Sequence, residues 1–386
     1  MREPVNSIIK EIKPSGIRKF FDIVSQMEDA ISLGVGEPDF VTPWKIIDEG
    51  IYSLEKGRTY YTSNAGLAEL KSEIAKYLDR RYGLKYDDKS EVFVTVGGSE
   101  AIDLAMRVIL EPGEEVLIPQ PSYVSYVPCA AMAYGKPVEI CLKAENEFKL
   151  TPEELIKAIT PKTKILVLPY PNNPTGAIMT EEELAKLVDI IIENDIYVIS
   201  DEIYSELTYK ERHCSIASFP GMKERTIVIN GFSKSHAMTG WRLGYATGPE
   251  VIIKQMLKLH QFAIMCAPTN SQYAAVVALR ECDEEVAEMR EAYDQRRRFL
   301  LHRFKEIGLP CFEPFGAFYV FPDIRKFGMT SDEFANRLLQ EEKVAVVPGT
   351  AFGDCGEGFL RISYAYSLEN LKAALERIEA FIKRLG

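Results

Sequence analysis

Between about residues 90 and 250, short apolar runs rich in β-branched residues alternate with longer segments of helical period, and no other feature narrows the possible folds as far. A strand covered by helices on both faces has no polar side to present, so it reads as a continuous apolar run followed by its crossover helix. Strands are predicted at Glu91–Val96, Glu115–Pro119, Lys164–Pro169, Ile196–Ser200, Thr226–Asn230 and Leu243–Thr247, with helices at Ser99–Leu110, Glu181–Asn194 and Glu250–Leu259. This is an α/β domain. Ligands of such sheets sit beyond the carboxyl ends of the strands, which directs attention to the residues just after each one.

Past about residue 285 the pattern changes to a long charged helix (Val286–Ile307), short strands near Ala317–Phe321, Ala345–Val347 and Leu360–Tyr364, and an amphipathic helix over Leu368–Leu385. That predicts a smaller α+β unit. The first 45 residues are punctuated by prolines and can bury little alone, so they are expected to pack on this unit or on a partner chain. The resulting division is 1–45, 46–284 and 285–386, and 386 residues with 46% hydrophobic content suit two or three structural units.

The formal charge of −11 is spread without blocks of one sign, so the chain presents no nucleic-acid or membrane surface by composition. A phosphate or carboxylate ligand would need a few well-placed donors. The seven cysteines contain no CxxC pair and the four histidines no HExxH, so reduced thiols and no metal site are expected. The start, MREPVNSIIKEIKPSG, has charges and two prolines in place of an apolar leader, and no apolar run approaches membrane-spanning length. The cytoplasm is the expected address.

The strand ends carry GGSE after Val96, NNPTG near Pro169, DEIY after Ser200 and GFSK after Asn230. Two glycines opening a helix leave backbone N–H groups free for a phosphate, although a tight turn without ligand reads the same way. Lys234 at a strand end is a solvated surface amine or, if desolvated, a nucleophile. Asp201 follows an apolar run and is either a helix N-cap or a buried carboxylate that needs a cationic partner. Tyr204 is a donor toward the same place or ordinary packing.

Taken together, LGVGEPDF, YYTSNAGLAELK, TVGGSEAI, PSYVSY, PNNPTG, SDEIY, GFSKSHAMTGWRLGY, PFGAFYVF and FLRISYA, in this order over nearly the whole chain, resemble the class I and II aminotransferases. These are fold type I pyridoxal 5′-phosphate enzymes of the aspartate aminotransferase superfamily, and the TGWRLGY and SDEIY forms look most like the prokaryotic aspartate and aromatic branch. The resemblance implies a large domain with a mainly parallel seven-stranded sheet flanked by helices, a smaller α+β domain built from the N-terminal arm and the C-terminal segment, and a homodimer. It makes Lys234 the catalytic lysine that joins the cofactor's aldehyde and moves the substrate proton. It gives Asp201 to the pyridine nitrogen, Tyr204 and Asn173 to the ring oxygen, and Tyr123 to a stacking position on the ring. Gly98, Ser99 and Glu100 become the backbone cradle of the phosphate, completed by Arg242 and, from the neighbouring subunit, by Tyr61. Arg361, with Gly36 and Asn173, is implied to grip the substrate α-carboxylate.

Many relatives have serine where this chain has Gly231; Ser233 is either a substitute phosphate contact or a plain turn residue. The implied reaction moves the amino group of an L-amino acid to a 2-oxo acid. A carbon–sulfur β-lyase on the same fold is the alternative, and a non-enzymatic regulator a third reading, although such regulators carry an added DNA-binding domain. Side-chain specificity is open: Phe20, Phe21, Phe40 and Phe262 line an apolar pocket or fill the core.

Overall fold

The computed structural model describes residues 2–14, 16, 27 and 29–385. After a short strand β1 (Ile31–Ser32), the chain lays down β2 (Val92–Thr95), β3 (Glu115–Gln120), β4 (Lys136–Cys141), β5 (Thr163–Leu168), β6 (Tyr197–Asp201), β7 (Thr226–Gly231) and β8 (Gly244–Thr247). The last seven form one sheet in the order β2-β8-β7-β6-β5-β3-β4, in which only β8 runs antiparallel to its neighbours. Side chains alternate between two cores. Val116, Ile118, Ile165 and Val167 face the helices Gly98–Ile109 and Glu250–Ala263, whereas Leu117, Leu166 and Leu168 face Glu181–Glu193. That last helix starts on a capping box between Thr180 and Glu183.

The six strands read from the apolar runs are present within about a residue of their predicted ends; the seventh, β4, was not foreseen. Its sequence KPVEIC carries a proline and two charges, and only Ile140 in it is buried, because it forms the sheet edge. The C-terminal residues make a three-stranded sheet, β11 (Val347–Pro348), β12 (Leu360–Ser363) and β9 (Tyr319–Val320). The run read as one strand at Ala345–Val347 is two, since β10 (Val344–Ala345) pairs in parallel with β1 instead. Leu33 of the N-terminal arm and Tyr204 and Leu207 after β6 are buried in the same core as the C-terminal helices.

The expectation of seven reduced thiols is corrected. Cys141, at the end of β4, is bonded to Cys355, with Cα atoms 5.5 Å apart at a sequence separation of 214. No local spacing could announce this pair; it forms because the turn around Gly353 lies against Gln120 of β3 and Ser122 N donates to Phe352 O at 3.2 Å. Among the described residues, no three His, Cys, Asp or Glu side chains gather as metal ligands, and no helix is long and apolar enough to cross a membrane.

The loop after β6 is fixed by a buried charge cluster. Glu206 accepts from both Nε (3.0 Å) and Nη2 of Arg81 and from the hydroxyls of Tyr77 and Tyr82, all on the helix Ala68–Tyr82, while Ser205 receives Nδ2 of Asn230 at 2.9 Å. Burial alone would raise this carboxyl, but Arg81 and the tyrosines outweigh it and hold Glu206 at about 2, below the ordinary 4.5. A depressed folded value means the carboxylate stabilises the fold above about pH 4.5 and loses that contribution as pH falls toward 2. Arg81→Leu strips the cation from a buried anion and is expected to cost about 3 kcal/mol in urea unfolding at neutral pH; a loss under about 1 kcal/mol would show that the cluster is not a stabilising one.

Candidate active site

The carboxyl ends of β5, β6 and β7 open into one cleft of about 320 Å³, and β12 closes it from the C-terminal side. Lys234, in the turn after β7, extends into it and donates from Nζ to the carbonyl of Gly36 at 2.7 Å. Burial, helped by Arg361 and Arg242 against the pull of Glu37 and Asp201, lowers its amine from 10.5 to about 8. A lysine so placed is available as a nucleophile and a proton carrier near neutral pH.

Asp201 closes β6 and is buried. Its Oδ2 accepts from Tyr126 Oη at 2.7 Å and its Oδ1 from the Ile203 N–H at 3.2 Å, so it makes a local turn and keeps a face toward the cleft. Burial pushes its carboxyl up and those two donors oppose the rise. Tyr204 lies beyond it, with its hydroxyl 2.8 Å from that of Tyr319.

At the other end of the cleft, Gly97 takes φ +76° and leads into the helix Gly98–Ile109, whose first N–H groups have no partner within the helix. A Cβ on Gly97 would approach Arg242 Nη2 to 2.9 Å, so the guanidinium sits directly against this turn. Gly98, Ser99, Ser233 and Arg242 line the cleft; Glu100 does not. Its side chain turns back to accept from Val96 N at 2.5 Å and to meet His260 Nδ1 at 2.6 Å, which leaves only its backbone for a ligand. The departure at Gly231 falls at a close approach: a Cβ there would meet Gly244 Cα at 3.0 Å and Leu243 O at 3.1 Å, so a side chain needs the β8 backbone to give by a few tenths of an ångström.

Arg361 is buried on β12 with no carboxylate partner. Nη1 donates to Asn173 Oδ1 at 3.0 Å, Nη2 to Gly34 O, and Nε is buried with no partner among the described residues. The rings of Tyr319 and Phe352 lie 4.6 and 4.7 Å from its Cζ. A carboxylate entering the cleft supplies what this guanidinium lacks. A cofactor with a phosphate, a ring nitrogen and an aldehyde likewise fits the residues present: a helix N-terminus beside Arg242, a buried carboxylate, and an amine.

The cleft brings together Gly36, Gly98, Ser99, Tyr123, Asn173, Asp201, Tyr204, Ser233, Lys234, Arg242 and Arg361. Tyr61 is not among them; it is 76% exposed, in a surface groove with Tyr60 and Ile264. Phe262 is exposed and Phe40 packs edge-on against Tyr293, so neither lines the cleft, and Phe20 and Phe21 lie outside the described residues. Reading by motif missed Tyr126, Tyr319 and Phe352. The first two lie inside the strings PSYVSY and PFGAFYVF, where their positions relative to Tyr123 and to the strand were the available signal.

Known proteins match this chain along its length. It is 47% identical over 375 residues to the aspartate aminotransferase of Pyrococcus abyssi (96% of each chain) and 44% identical over 378 residues to aromatic-amino-acid aminotransferase 2 of Thermococcus litoralis (97% of each). The crystal structure of the aromatic aminotransferase from Pyrococcus horikoshii superposes with a TM-score of 0.91 at 47% identity, covering 95% of this chain and 99% of that one. The family model described as aminotransferase class I and II matches residues 28–378, and the chain accordingly belongs to that family, as an enzyme that uses pyridoxal 5′-phosphate to transfer an amino group.

Proposed function

We propose that the enzyme takes the amino group preferentially from aromatic L-amino acids, and that each residue of the cleft has a separable task. The observation that carries the substrate reading is the lining. Its cations are Lys234, Arg242 and Arg361, each with a task at the cofactor or the α-carboxylate, whereas Ile102, Pro169, Pro171 and Ile203 add apolar surface to the lining. A dicarboxylate needs a second free cation, and among the described residues of the cleft none is offered. The relatives named for aspartate and for aromatic amino acids define the two classes to compare.

When bound, pyridoxal phosphate supplies an electron sink for the charge left at the substrate Cα. Arg361 binds the α-carboxylate, with Asn173 and the Gly34 carbonyl fixing the guanidinium and Gly36 leaving room at its side. Lys234 would hold the cofactor's aldehyde carbon, and its amine, when neutral, would take the proton from the substrate Cα. Asp201, whose Oδ2 accepts from Tyr126, would keep a proton on the ring nitrogen. Tyr204 and Asn173 would donate to the ring oxygen and Tyr123 would cover the ring face. The N–H groups of Gly98, Ser99 and Glu100, with Ser233 and Arg242, hold the phosphate.

The same reading divides the chain at 1–45, 46–284 and 285–386; the separate core shared by Leu33 and the C-terminal helices supports it. It also makes the enzyme a homodimer that shares Tyr61 across subunits. Trp44, Tyr60, Tyr61 and Phe262 are 68, 62, 76 and 83% exposed, large side chains available to such an interface. We also propose a cytoplasmic address, a setting whose reductants oppose the Cys141–Cys355 bond; cell fractionation with thiol labelling tests that address.

Mixing holoenzyme with single amino acids and following the cofactor's absorbance is expected to give phenylalanine and tyrosine a kcat/KM at least about tenfold above aspartate; the reverse order would overturn the substrate reading. Uptake of the cofactor by apoenzyme should accelerate as pH rises through about 8, because the neutral amine attacks, and a midpoint near 10.5 would mean that Lys234 is not desolvated. Sedimentation at assay concentrations is expected to find a dimer, and a fully active monomer would remove Tyr61 from the site.

A further inference from the structure

The cleft contains a hydroxyl pair whose second member has no task in the scheme above. Tyr319 sits in β9 opposite Ser363 of β12 and is fully buried. Its hydroxyl is 2.8 Å from that of Tyr204, and its ring centroid 4.6 Å from Cζ of Arg361. It also occupies the space that a side chain at position 36 would need: a Cβ on Gly36 would come within 2.5 Å of its oxygen. One side chain therefore touches Tyr204, the guanidinium, and the glycine whose carbonyl receives Lys234.

A tyrosine hydroxyl has a single proton to donate. If Tyr204 gives it to Tyr319, none is left for a cofactor oxygen; if Tyr319 gives its own to Tyr204, the Tyr204 proton is free to point into the cleft. The surroundings decide between the two. Burial raises both hydroxyls and Arg361 opposes the rise at each, but its guanidinium lies 4.6 Å from the Tyr319 ring and Tyr319 is raised less, so Tyr319 is the stronger acid of the pair and the better donor. The other groups facing the pair are Tyr123 and Tyr366 beside Tyr319 and Asp201 beside Tyr204, and none competes for the shared proton.

We propose that Tyr319 is a positioning residue for amino transfer: it donates its hydroxyl to Tyr204, turns the Tyr204 proton toward the cofactor's ring oxygen, and links that bond to the guanidinium that receives the substrate carboxylate. This deepens the role given to Tyr204 above and rests on it. It also gives a reason for tyrosine at this position where phenylalanine would fill the same volume and still cover Arg361.

The test uses the cofactor-loaded enzyme and the pH titration of its visible absorbance. Tyr204→Phe removes a donor to an ionised ring oxygen and is expected to raise the midpoint by about one pH unit. Tyr319→Phe is expected to raise it by about half a unit and to lower kcat roughly three- to tenfold, with KM within about twofold because the ring still faces Arg361. Added to Tyr204→Phe, the second substitution should move the midpoint no further. Tyr319→Leu, which removes the ring as well, should raise KM at least about fivefold. An unchanged midpoint in Tyr319→Phe, or the same shift with and without Tyr204, overturns the proposal while leaving Tyr204 in place. A wild-type midpoint in Tyr204→Phe overturns the Tyr204 assignment and the proposal together.

Discussion

The rest of the site is organised around a guanidinium kept out of water without a counter-anion. Burying a charge is costly unless hydrogen bonds and an opposite charge compensate, and Arg361 receives only the first: an amide oxygen, a backbone carbonyl and two aromatic rings. Its Nε stays unmatched. The folded protein thereby carries an unmet demand for one carboxylate at a fixed place. The same positive surroundings help to bring Lys234 down toward neutrality, so recognition and reactivity arise from one electrostatic arrangement.

That arrangement explains why so much of the site was legible. A parallel sheet gathers the residues that follow its strands at a single edge, so Asp201, Lys234 and the Gly97–Gly98 turn could be nominated from apolar runs and what trails them. Six of the seven strands are buried enough to read as such. The resemblance then supplied Arg361, Asn173 and Gly36, whose local strings have no chemistry of their own until the C-terminal sheet brings them against β5 and β7.

What escaped the sequence depends on contacts between distant segments. β4 looks like a loop because an edge strand needs only one apolar anchor, Ile140. Tyr126 and Tyr319 look like packing residues because a hydroxyl's partner is visible only in three dimensions, on Asp201 in one case and on Tyr204 in the other. Gly231 stands where the backbones come close: β7 and β8 pair antiparallel with Gly231 opposite Gly244, and Gly244 in turn has Gly97 C 2.7 Å from where its own Cβ would stand. The lysine turn and the phosphate turn meet there, backbone against backbone.

The bond between Cys141 and Cys355 gives the molecule an unusual relation to cleavage. It closes a ring over more than half of the polypeptide, a ring that contains most of the parallel sheet, the lysine turn and the long helix Asp283–Ile307. A single backbone cut anywhere inside that ring leaves one covalent object whose two pieces part only when a reductant opens the sulfur link. Damage of that kind would therefore stay hidden in an oxidising setting and become loss of a fragment in a reducing one.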